Sequence, residues 1–139
     1  MATVNAMSNY LEEALAKHVL RNVAYTSPTT VYLALFKSPV VDADLEAGTL
    51  TNEVSGGAYA RQAIVFNDPT NPGGVSTNNG LVTFPTATLA WGTVTHFAIM
   101  DSSGAGVNVL IYGALDNSKV VDIDDVFQLP DTNLSITFA

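Results

Sequence analysis

The sequence predicts a mainly β fold: a compact antiparallel β-sandwich or barrel-like domain with one N-terminal amphipathic α-helix. Three observations predict it. Helical spacing of apolar residues occurs in a single stretch, residues 8–21. From Asn22 onward, short β-branched and aromatic runs alternate with clusters of Gly, Pro, Asn and Asp, the texture of an all-β unit. The chain has 139 residues, 47% of them hydrophobic, and a chain of that length buries roughly two-thirds of its unfolded surface.

The helix is placed by Leu11, Ala14, Leu15, His18 and Val19, which fall on one face of a 3.6-residue repeat. Ser8 or Asn9 caps its start, with Glu12 three residues after Asn9 as in a capping box. Glu12 and Glu13 stand at the positive end of the helix dipole, Lys17 and Arg21 near the negative end. Glu13 and Lys17 form an i,i+4 pair of favourable orientation.

Strands follow at Val31–Phe36, Ala58–Phe66, Gly80–Phe84, Thr93–Met100, Val107–Leu115, Lys119–Val121, Phe127–Leu129 and Leu134–Phe138. The first is apolar throughout, so it is expected to be covered on both faces, with the helix as a candidate cover. The last alternates, Leu134, Ile136 and Phe138 against Ser135 and Thr137, as a half-buried strand does. Lys37–Gly57 and Asn67–Asn79 read as long loops, a length that suggests function or disorder. The organisation expected is an arm, residues 1–7, and a single β-rich domain, residues 8–139, with its helix at about 8–21.

Charge excludes whole classes of partner. With 13 acids against 5 bases the net charge is −8, and the isoelectric point is near 4.3. Nucleic acid and anionic lipid need clustered Lys and Arg, so neither is expected as a partner. No apolar run reaches the roughly 18 residues of a membrane helix, and Met1–Met7 lacks the basic and apolar regions of a signal peptide. The expected setting is a cytoplasm, or a larger object assembled there. The absence of cysteine rules out disulfides and thiolate metal sites. Only 13% of residues are charged and mean hydropathy is +0.25, a neutral surface that suits packing against copies or a larger partner.

No residue set nominates catalysis. His18 and His96 lack a G-x-S-x-G serine or a cysteine to activate, and both read as structural. Asp122-Ile123-Asp124-Asp125 fails as an EF-hand loop, because no Gly stands at the sixth position and no Glu closes it; a solvated turn is the reading kept. Gly104-Ala105-Gly106 is a hairpin turn and not a dinucleotide fingerprint. Trp91 and the tyrosines are expected in the core or an interface. No catalytic residue, cofactor or metal ligand is therefore expected.

Several blocks resemble a known family: Met7–Glu12 through Leu20-Arg21, Tyr25-Thr26-Ser27-Pro28, Val31–Phe36, Glu53–Gln62, Thr83–Thr88 and Trp91–Phe97, with Gly113-Ala114-Leu115 and Ser118–Val121 beyond. In order and over nearly the whole chain from Met7, they are similar to small tailed-bacteriophage virion proteins, described as tail-fibre-like, with capsid cement and decoration proteins among their small β counterparts. The resemblance implies a non-enzymatic virion structural protein assembled in the host cytoplasm. The leading expectation is a capsid cement or decoration protein bridging the major capsid protein; the alternative is a tail fibre or baseplate-associated protein that aids host attachment. Partners implied are other virion proteins, with copies of the chain as an oligomer or array. Two departures stand out: Met1–Ala6 precede the usual start, and the acidic stretch Val41–Thr51 is long. If assembly is the function, the interface residues expected are Ala2, Thr3, Val4 and Asn5 of the arm, Asp42, Asp44 and Glu46 of the acidic loop, and Arg61, which could equally brace a carboxylate within the fold. Deleting residues 1–6 is expected to weaken attachment and to leave thermal stability nearly unchanged.

Overall fold

The computed structural model describes residues 5–69 and 73–138. Its main sheet is antiparallel, built from β1 (Asn5–Met7), β2 (Val31–Lys37), β3 (Gln62–Ile64), β6 (Gly92–Met100) and β7 (Val109–Val121) in the order β1-β7-β6-β2-β3. Two ribbons pair β4 (Val75–Thr77) with β9 (Ser135–Thr137), and β5 (Val82–Thr83) with β8 (Gln128–Leu129). The helices are α1 (Asn9–Arg21) and α2 (Asp42–Glu46). The sheet stays open, with β1 and β3 as its edges, so the fold is a compact β domain and not a barrel.

The apolar run in β2 fixes this arrangement. Leu33 and Leu35 pair with Ile99 and Phe97 across β6 and face a large core with Phe84, Trp91, Leu129 and Leu134. Ala34 and Phe36 face the other side, with Ala98, Met100, Tyr112 and Leu45 of α2. All four β2 residues are essentially inaccessible, and burying a leucine side chain stabilises by roughly 1.5–3 kcal/mol. The strand is thus covered on both faces as its sequence implies. The helix α1 contributes Leu11 and Leu15 to the first core, beside β7, and the ribbons and the segments flanking them contribute Val82, Phe84, Phe127, Leu129, Leu134 and Ile136.

Ser8 caps α1. It is buried; its Oγ accepts from the Leu11 N–H at 3.2 Å and donates to the Val109 carbonyl, while its N–H donates to the Leu110 carbonyl at 2.9 Å. The same residue therefore starts the helix and ties it to β7. At the far end Asn22 takes the left-handed conformation, φ 56°. Along the expected apolar face only Leu11 is fully buried; Leu15 is partly covered, and His18 and Val19 are exposed.

Several elements differ from the sequence reading. Asn5–Met7, read as arm, is an edge strand with Met7 opposite Ile111 on β7. Removing residues 1–6 therefore also removes two of its three rungs. Val107–Leu115 and Lys119–Val121 are one strand, because Asp116-Asn117-Ser118 stays extended instead of turning. Between the pairs His96↔Ala114 and Val94↔Lys119 the extra length of β7 is absorbed as a bulge. Ala58–Phe66 shortens to Gln62–Ile64 with an isolated bridge at Phe66, since Gly56, Gly57 and Ala58 all have positive φ and coil the chain. The two long connections contain α2 and β4.

Ser8→Ala is expected to lower stability by about 2 kcal/mol, since it removes the cap and leaves the buried Val109 carbonyl without its donor. Urea denaturation measures the loss, and a change under about 0.5 kcal/mol would contradict the assigned role.

Candidate functional site

The acidic segment is held in place. Leu45 anchors α2 in the second core, and the Leu50 region turns back so that the Lys37 N–H donates to the Asn52 carbonyl at 2.9 Å and Phe36 bridges Glu53. Asn52 also donates from its side chain to the Pro39 carbonyl. Asp42 and Asp44 stand in the first turn, where the helix end favours negative charge. The Asp42 carboxylate is 74% exposed and lies 3.2 Å from Nε2 of His96, whose Nδ1 is 2.9 Å from the Thr95 hydroxyl. Hydroxyl, imidazole and carboxylate are in sequence, but the carboxylate is bathed in water instead of buried against the ring; the contact tethers α2 to β6. Burial, then Glu46, Asp42 and Glu12, push the Tyr112 phenol above its ordinary value. The predicted acids Asp42, Asp44 and Glu46 thus form one group on a rigid support, with Asp44 and Glu46 partly exposed.

Arg61 lies apart from them, inside a network. Its Nε and Nη2 donate to the two Glu53 carboxylate oxygens, both at 2.7 Å, and its Nη1 donates to the carbonyls of Gly104 at 2.7 Å and Ser102 at 3.3 Å. The Tyr59 hydroxyl donates to Glu53 at 2.9 Å and accepts from the Leu35 N–H at 3.0 Å. The hydrogen bond to Glu53 holds the guanidinium pKa above its usual value. This planar fork clamps the β6–β7 turn to the segment that follows β2. Of the two readings open for Arg61, the geometry supplies the internal brace; Glu53 and Tyr59 complete it and were not singled out from sequence. Their spacing, Glu53 and Tyr59 before an Arg just ahead of a short strand, offered no signal beyond the resemblance.

Four aromatic residues serve the core. Trp91 is buried and donates from Nε1 to the Gly57 carbonyl at 2.9 Å. Gly57 has φ 56°, and a Cβ there would sit 2.9 Å from that same nitrogen, so the close approach requires glycine. Tyr59, Phe84, Trp91 and Phe127 pack together at ring separations of 5.4–6.3 Å. His18, exposed, accepts the Tyr25 N–H on Nδ1 at 3.1 Å. An apolar groove of about 380 Å³ runs beside α1 between Leu15, Tyr25, Val31, Phe66 and Ile136. Among the arm residues, Ala2, Thr3 and Val4 lie outside the described residues, and Asn5 begins β1. Among the described residues no helix is long and apolar enough to cross a membrane, and no cluster of three or more metal-ligating side chains occurs.

A family model described as Podophage GP4 fiber I protein gp80 matches residues 6–137, from β1 to the end of β9. The chain belongs to that family. It is a phage virion structural protein, tail-fibre-like, and its family is one of fibre proteins and not of enzymes. No curated protein matches it. The match spans both covers of β2 and the Arg61 brace.

Arg61→Met is expected to cost about 2–4 kcal/mol in urea denaturation at pH 7, because Glu53 is left partly buried without its partner. Burial chiefly, then Glu53, raises the Tyr59 phenol far above its ordinary value, so the folded protein keeps it neutral while the unfolded chain ionises from about pH 10. Its contribution is complete below that pH and declines as pH rises toward the folded value. Tyr59→Phe should therefore flatten part of the alkaline loss of stability between about pH 9.5 and 11.5; an unchanged slope would contradict it.

Proposed function

We propose that this chain is a non-enzymatic structural component of a podophage-type tail fibre, held in the virion by contacts with other virion proteins and with copies of itself. The observation that carries the reading is the fibre-family match over residues 6–137. The surface agrees with it. The strongest polar network, Arg61–Glu53–Tyr59, is turned inward, whereas the acids of α2 are displayed on a support fixed by Leu45 and by the His96 contact. A preorganised acidic face suits a partner that presents Lys or Arg, and charge complementarity of that kind sets register and speeds encounter.

The capsid cement reading rests on the small size of the chain, while the match favours the fibre. A direct role in reading host glycans has less support: neither Lys37–Gly57 nor Asn67–Asn79 contains an aromatic residue on which a sugar ring could stack. The fibre reading therefore concerns architecture, with the receptor-facing role left to other parts of the particle.

Asp44→Asn combined with Glu46→Gln should reduce incorporation of the chain into phage particles by roughly tenfold, equivalent to about 1.4 kcal/mol for the pair together. Quantitative mass spectrometry of purified virions measures it, and the thermal midpoint of the isolated variant should stay within a few degrees of the parent. Undiminished incorporation would remove the acidic face from the attachment surface.

A further inference from the structure

The few basic residues are distributed unevenly. At the C-terminal end of α1 the bases are Lys17, paired with Glu13, and Arg21, while after Lys119 the chain carries Asp122, Asp124, Asp125 and Asp131 and no base. Each segment also exposes apolar side chains that the fold leaves uncovered. At the C-terminal end of α1, Val19, Leu20 and Val23 are exposed, Leu20 by 80%. In the turn after β7, Ile123 is 58% exposed, flanked by exposed Val120 and Val126.

Both patches are rigid. The helix end is closed by Asn22, the Val23 N–H donates to the Lys17 carbonyl at 3.2 Å, and the Tyr25 N–H is held by His18. In the turn, the Asp122 N–H donates to the Asp125 carboxylate at 2.9 Å, and Asp124 and Asp125 exchange backbone hydrogen bonds with Ala87 at 2.7 and 2.9 Å. Surfaces already ordered lose little entropy on docking.

Their placement decides what they can meet. Ser8 ties α1 to the Val109 end of β7, and the acidic turn follows Val121 at the other end of the same 13-residue strand. Along β6 those ends stand opposite Met100 and Gly92, eight residue steps or on the order of 27 Å apart. The α1 patch lies a helix length from Ser8, and both patches stay exposed, so neither covers the other within one molecule, but they complement each other between molecules.

We propose that the α1 end of one copy, through Val19, Leu20 and Arg21, docks on the Asp122–Val126 turn of a second copy, giving head-to-tail association. The apolar side chains supply the contact and the opposite charges set its direction; two α1 ends, or two acidic turns, repel. A contact between unlike surfaces is heterologous, so it propagates from copy to copy into a ring or a column. The inference rests on the fibre reading for its setting, and names the surface by which copies would stack there.

The test uses the purified full-length chain in sedimentation velocity at low salt. The parent should form concentration-dependent species larger than a dimer, dissociating as salt is raised. Leu20→Asp and Ile123→Asp alter exposed positions, so each should keep the parent's circular dichroism and thermal midpoint, and each alone should weaken association at least tenfold. Mixed, the two variants should form a one-to-one dimer and nothing larger, because one intact pair of patches remains. Arg21→Glu and Asp122→Arg should each weaken association and together in one chain restore it. A monomeric parent at millimolar concentration, variants that associate like the parent, or a mixture that stays monomeric would overturn the proposal. If the monomeric parent were nevertheless present in the fibres of the virion, the head-to-tail contact would fall and the fibre reading would stand.

Discussion

Burial of β2 on both faces is the constraint on which the rest of the structure depends. Leu33, Ala34, Leu35 and Phe36 leave no side of the strand to water, so the chain must supply two covers from distant segments. One is the large core under α1 and the two ribbons; the other is the smaller core closed by α2. This is why the acidic segment is not a free loop. Leu45 has to reach Phe36 and Met100, and the carboxylates around it are carried into fixed positions as a result.

The polar residues that join these layers are few and are used within the fold. Ser8 fastens α1 to β7, Asn78 holds the Leu134 N–H and the carbonyls of Gly80 and Pro130, and the Arg61–Glu53–Tyr59 network ties β2 to the β6–β7 turn. A chain with five bases that commits one to an internal brace has little positive charge for its surface. What remains outside is acidic α2, the acidic turn after β7, and the basic apolar end of α1. Those are surfaces suited to other proteins, in keeping with a family of virion fibre proteins.

Much of this was legible in the sequence because local patterns fixed it. The helical spacing from Leu11, the Ser8 cap and the unbroken apolar run from Val31 each specify their element without help from the rest of the chain. The misread elements are those decided by tertiary pairing. Asp116-Asn117-Ser118 reads as a turn, yet pairing on both sides holds it extended within β7. Asn5–Met7 becomes a strand because β7 offers an edge, which no local signal announces. Of the candidate site, the three acids of α2 stand together, but the partner of Arg61 was not readable, since Glu53 lies across a loop whose course is set by three residues of positive φ. The exposed Val19 was hidden by its own periodicity: it continues the stripe of Leu11 and Leu15 past the edge of the body that covers them.

Cryo-electron microscopy of the intact virion is the most direct measurement of where this rigid body works. The account predicts density for the β2-centred domain in the tail fibres, with the α2 acids against Lys or Arg of a neighbouring chain. Density for the same domain arrayed on the head lattice, and none in the fibres, would contradict it.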